Sequence, residues 1–105
     1  MAYQLVQVLF HYAAAPTPAM QQAASDRAQR IASDVPGLIW KIWTYDPDTS
    51  EAGGVYLFAD EASAQAYLTG PIFASLQAMP AVANMQVKRL EVDRDRSLIT
   101  RAPLP

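Results

Sequence analysis

Three segments of this chain that read as β-strands carry apolar side chains on both of their alternating faces. In residues 3–12, Leu5 and Leu9 fall on one face, and Val6, Val8 and Phe10 on the other. Residues 38–45, LIWKIWTY, are apolar on both faces except at Lys41 and Thr44. In residues 54–58, Val55 and Leu57 oppose Tyr56 and Phe58. Successive side chains of a strand point to opposite sides, so such a sheet needs cover above and below. The chain has 105 residues, 51% of them apolar, which suffices for one packed core and a single domain. A chain of this size buries only roughly two-thirds of its unfolded surface by itself.

The segments between the strands supply cover for one side only. Thr17 is placed to cap a helix with Pro18 at its first position, where the missing N–H costs nothing. Met20, Ala24, Ala28 (or Arg27) and Ile31 then recur at helical spacing, and Pro36-Gly37 turns the chain. Residues 46–53 are turn-rich, with Asp-Pro and Gly-Gly, and join two strands as a hairpin. Asp60 caps a second helix that carries Ala62, Ala66, Tyr67 and Leu68. Gly70-Pro71 interrupts it, and residues 72–79 form a further short helix. Residues 85–92 alternate Met85, Val87, Arg89 and Glu91 with Gln86, Lys88, Leu90 and Val92. This most polar strand suits a sheet edge or a partner-facing position. The order β-α-β-β-α-β predicts an α+β, ferredoxin-like fold: a four-stranded antiparallel sheet with helices on one face. The bare apolar face then predicts a homodimer in which two sheets meet across a twofold axis. The tail, residues 93–105, is too short for a new core and is free to pack on the partner subunit.

Several function classes drop out. The net charge is −2 and no Lys/Arg cluster occurs, so a nucleic-acid partner is not expected. The chain has no cysteine, which removes disulfides, thiolate metal sites and cysteine nucleophiles together. No apolar run approaches the roughly 20 residues of a membrane span. The start, MAYQLVQVLF, lacks a basic leader pattern, so a cytoplasmic location is expected. No G-x-S-x-G, P-loop or dinucleotide fingerprint is present.

The stretch PGLIWKIWTYDPDTSEAGGVYLFADEASAQAYL, residues 36–68, resembles the signature region of the YdhR-like mono-oxygenase family. The shared features are the turn into an aromatic, lysine-bearing strand, the EAGGVYLF return, and the alanine-rich helix ending in Tyr-Leu. The resemblance extends to the first strand and, more loosely, to SLITRAPL in the tail. It implies a dimeric α/β barrel. It also implies an activity like that of cofactor-independent relatives, which oxidise polycyclic phenolic compounds with O₂. The same superfamily holds haem-degrading enzymes and isomerases, and fold alone does not choose among them.

The residues offer a matching chemistry. His11, the only histidine, is a candidate general base because imidazole as a group ordinarily works near neutral pH; the plainer reading is a strand-end histidine with a solvent or backbone partner. Lys41 interrupts an apolar strand, on the face of Ile39, Trp43 and Tyr45. It either stabilises a phenolate or enolate, or pairs with a carboxylate such as Glu51. Trp40 and Trp43 face opposite sides of their strand. With Tyr45, Tyr56, Phe58 and Tyr67 they are candidate walls for an aromatic substrate, or ordinary packing. The expected function is oxidation of a small aromatic or polyphenolic molecule by O₂, with no cofactor and no metal. The alternatives are a non-catalytic small-molecule-binding or stress-response dimer, and a haem-handling protein. A titratable group inside the pocket is the feature that favours the enzyme.

Overall fold

The computed structural model describes residues 2–105. Four strands, β1 (Gln4–Tyr12), β2 (Leu38–Asp46), β3 (Glu51–Phe58) and β4 (Val82–Glu91), form one sheet in the order β2-β3-β1-β4. All neighbouring pairs are antiparallel. Helices α1 (Pro18–Asp34), α2 (Glu61–Leu68) and α3 (Pro71–Gln77) follow in the expected β-α-β-β-α-β order, with the second helical segment split in two. The fold is the predicted ferredoxin-like α+β sheet, and the polar β4 lies at an edge. Among the described residues, no helix is long and apolar enough to cross a membrane.

Local signals act where the sequence places them. The Thr17 side chain accepts a hydrogen bond from the Met20 N–H, with Pro18 in the first turn of α1. Asp60 accepts from the Ser63 N–H and caps α2. Both side chains satisfy amides that no intrahelical carbonyl can reach.

The core lies between the sheet and the helices. Val6, Val8 and Phe10 of β1 and Tyr56 and Phe58 of β3 are at most 5% exposed. They pack with Ile31, Ala64, Tyr67, Phe73 and Leu76 of the helices. Tyr67 sits at the centre of an aromatic cluster, with the rings of Tyr56, Phe58 and Phe73 at 5.0, 5.8 and 5.6 Å. The Tyr56 and Tyr67 hydroxyls are 2.9 Å apart and satisfy each other inside the core.

Three features depart from the sequence reading. The third strand begins at Glu51, three residues before the expected Gly54, so Gly53 lies inside it and not in the turn. Glycine is needed there because a Cβ on Gly53 would fall 1.8 Å from the Val8 carbonyl oxygen of the adjacent strand. Two irregularities also shift the registers. One, between Leu38 and Trp40, sets Leu38 opposite Phe58, so Leu38 packs on the core beside a face expected to carry Ile39. The other inserts an extra residue in β4, where Asn84 takes φ 56°, and lets both Val82 and Met85 reach the core. Finally, residues 94–99 form a short helix, α4 (Arg94–Ile99), capped by Asp93. Beyond it the chain returns to its own sheet, where the Trp40 Nε1–H donates to the Pro103 carbonyl at 2.9 Å.

On the face away from α1–α3, Leu57 is buried, whereas Leu9, Ile42 and Leu90 remain 38%, 54% and 45% exposed. The second face of the sheet is therefore covered only in part by this chain.

The hydroxyl pair in the core gives a direct prediction. Tyr56→Phe should cost about 1–3 kcal/mol by leaving the Tyr67 hydroxyl unpaired. Adding Tyr67→Phe should recover part of that loss, because the orphan is then removed. Urea titration of the two single variants and the double variant reads the coupling, and strict additivity would refute it.

Candidate active site

The helix-facing side of β2 and β3 is not filled. Helix α1 buries only Arg27 and Ile31 against the rest of the chain, and its inward positions nearer the N-terminus are Met20 and Ala24. Small residues at that end leave a cavity of about 420 Å³ between helix and sheet. Its size falls in the usual range for small-molecule sites. The walls are aromatic, from Phe10, Tyr12, Trp43, Tyr45 and Tyr56, and aliphatic, from Val8 and Leu76. Trp43 and Tyr45 are 42% and 48% exposed and stand toward the solvent side.

Lys41 and Arg27 supply the charge in this cavity. Register places Lys41 opposite Tyr56 and Trp43 opposite Gly54, so all point toward the helices. The Lys41 Nζ lies 3.4 Å from the Trp43 ring centroid and 4.5 Å from that of Tyr56. Both distances are within cation–π range. Gly54 makes this possible, because a Cβ there would come within 2.6 Å of the Lys41 Cε. Among the described residues, no carboxylate is within salt-bridge reach of Lys41, and Glu51 stands 3.7 Å from His11 instead. Desolvation by burial, and then the nearby Arg27 charge, lower the Lys41 pKa from 10.5 to about 7. Burial pushes the Tyr56 and Tyr67 hydroxyls the other way, above their ordinary 10.0.

The other sequence candidates are distributed unevenly. Lys41, Trp43, Tyr45 and Tyr56 line one cavity. Phe58 and Tyr67 pack in the core beside it, at 0% and 5% exposure, and do not line it. Trp40, paired with Leu57, is on the opposite face, where its indole N–H holds the tail. His11 is also on that opposite face, between Glu51 and Ala83, so the sheet separates it from Lys41. The pairing of His11 with Lys41 in one site is thereby corrected: odd positions of β1 face away from the helices. Arg27 is the charged residue of the cavity that was not among the sequence candidates, as Phe10 and Tyr12 of its walls were not. Its signal was a cation within the inward stripe of α1, three residues after Ala24 and four before Ile31.

The profile of the family described as "Putative mono-oxygenase ydhR" matches residues 5–103. No curated protein matches the chain significantly. The fold is similar to that of the NE2512 protein from Nitrosomonas europaea, at 25% identity and TM-score 0.66, covering 100% of this chain and 96% of that one. It is similar to SnoaB, a cofactor-independent oxygenase from Streptomyces nogalater, at 14% identity and TM-score 0.69, covering 88% and 94%. A dimeric ferredoxin-like protein from Thermobifida fusca aligns at 15% identity and TM-score 0.67, covering 87% and 92%.

The depressed Lys41 pKa carries a stability prediction. Between about pH 7 and 10.5 the unfolded chain binds a proton at Lys41 that the native state does not. Stability from this group therefore rises with pH across that window. Above the ordinary tyrosine value of 10.0 the native Tyr56 and Tyr67 hold protons longer, so stability from them falls with further increase. Lys41→Met should be more stable than wild type near and below pH 7, with the gap closing toward pH 10. Thermal melts of both proteins across that range test it, and a gap independent of pH would mean the ammonium is not desolvated. With the family profile spanning nearly all of the described chain, the protein belongs to the ydhR mono-oxygenase family.

Proposed function

We propose that the protein is a cofactor-independent mono-oxygenase that oxidises a small aromatic or polyphenolic substrate with O₂. The observation that carries this reading is Lys41, an unpaired amine poised near neutrality inside an aromatic-walled cavity. A neutral lysine accepts a proton, and a candidate base needs a pKa near the operating pH. In this reading Lys41 takes the proton of the substrate's phenol or activated C–H. The ammonium so formed, with the Arg27 charge behind it, holds the resulting anion. The electron-rich anion then adds O₂ at carbon and takes the proton back from the Lys41 ammonium, giving a hydroperoxide. Loss of water from that adduct converts the attacked carbon (a CH₂ in an anthrone-like ring, a ring CH in a phenol) to C=O, so one oxygen atom enters the product and the other leaves as water. Trp43, Tyr45 and Tyr56 orient the ring and keep water from the anion. Family membership and the fold shared with SnoaB support the reaction class. Lys41 here combines the base role first expected of His11 with its own role as anion stabiliser.

Oxygen uptake with anthrone-like and hydroquinone-like compounds, with no cofactor added, tests this reading. Uptake above the spontaneous rate should fall by roughly a hundredfold or more in Lys41→Met, the usual scale of general-base removal. Its pH profile should rise through about pH 7 as Lys41 is freed of its proton. Loss in His11→Ala with Lys41→Met unaffected would move the base to the other face of the sheet. No uptake with any compound, alongside tight binding, would make the protein a carrier.

The partly covered face supports a homodimer. Leu9, Ile42 and Leu90 form an exposed apolar surface on the sheet, which a second copy would cover through a closed twofold contact. The similar fold from Thermobifida fusca is described as dimeric. Light scattering should give a dimer at micromolar concentration, and Leu9→Glu, at the centre of that face, should give a folded monomer. A wild-type monomer would refute the assignment.

A further inference from the structure

Arg27 is 6% exposed, yet among the described residues it has no anionic partner. Its Nε lies buried with no hydrogen-bond acceptor, and its Nη1 reaches only the Met79 Sδ, a weak acceptor at 3.8 Å. A guanidinium offers five N–H donors in a planar fork, and burying one without acceptors is costly. Such a group is retained where a ligand completes it. Arg27 lines the same cavity as Lys41, and its Cζ is 5.8 Å from the Trp43 ring centroid that Lys41 also approaches. One indole thus carries two cations on a wall that is otherwise mostly apolar.

We infer that the cavity takes a planar aromatic carboxylate, with the carboxylate on the Arg27 fork and the ring against Trp43 and Tyr56. This rests on the reading of the cavity as the substrate site and adds the substrate's class: a hydroxylated aromatic acid, its hydroxyl toward Lys41. A carboxylate fits a lone fork because it accepts two parallel N–H bonds in one plane. A phosphate would ask for more donors than one fork and one amine. A neutral phenol would leave the Arg27 donors unmatched.

Titration calorimetry with a hydroxynaphthoate and its carboxamide tests this without turnover. The two probes share shape and differ in charge. The acid should bind wild type roughly ten- to a hundredfold more tightly, the scale of a charge-assisted hydrogen bond. That preference should vanish in Arg27→Met, which keeps an unbranched apolar stem and removes the guanidinium. Should that variant not fold, Arg27→Lys keeps a charge but loses the fork, and a reduced preference carries the test. Equal binding of acid and amide by wild type, or a preference that survives in folded Arg27→Met, overturns the inference. The two readings fail separately. Oxygen uptake with neutral phenols and no acid preference removes the carboxylate and leaves the oxygenase. Selective acid binding with no uptake does the reverse.

Discussion

The central pair of strands, β1 and β3, is apolar on both sides, and most of the architecture answers that constraint. On the helix side Val6, Val8, Phe10, Tyr56 and Phe58 are closed over by α2, α3 and the C-terminal half of α1. On the other side Leu57 is buried, while Leu9, Ile42 and Leu90 are left open. Burial of apolar area contributes roughly 25 cal/mol per Å², so neither face is free to stay wet without loss. The helix side resolves this unevenly. At one end the aromatic cluster around Tyr67 closes the core, and the other end is left open beside Met20 and Ala24.

The open end is where the charges are. Lys41 and Arg27 sit where burial disfavours both, and neither is relieved by a carboxylate among the described residues. Replacing such charges by apolar groups of similar volume commonly costs nothing in stability or adds to it. Retaining them makes physical sense as preorganisation. An anion entering the cavity meets dipoles and charges already in place, and the energetic penalty was met when the chain folded. The aromatic rings fix the lysine's position: between Trp43 and Tyr56 the ammonium has favourable contacts without being neutralised.

Much of this was legible in the sequence because the signals are local or periodic. Capping by Thr17 and Asp60, the split at Gly70-Pro71 and the alternation in β4 follow from backbone chemistry within a few residues. The two-sided strands gave the layers. The placement of Lys41, Trp43 and Tyr45 on one face follows from simple alternation. What was hidden depends on register. The irregularities beside Leu38 and Asn84 each move a side chain to the other face, and no residue type announces them. His11 could not be assigned to the cavity or excluded from it until the helix-covered face of β1 was known. Arg27 was hidden for a different reason. A long cation on a helical stripe reads as solvated surface unless the depth of the groove beneath it is known.

Gly54 gives the cavity one further property. The carbon that any other L-residue would add at this position competes for the space of the Lys41 stem. Side-chain size at 54 and side-chain length at 41 are therefore one variable shared by two adjacent strands. Among descendants of a common ancestor the two positions are expected to change together. A glycine would accompany a long amine, and a bulkier residue would accompany a short or apolar side chain. Divergence in such a lineage then has a low threshold, because a single methyl group on one strand is enough to shift the end of the amine supplied by the next.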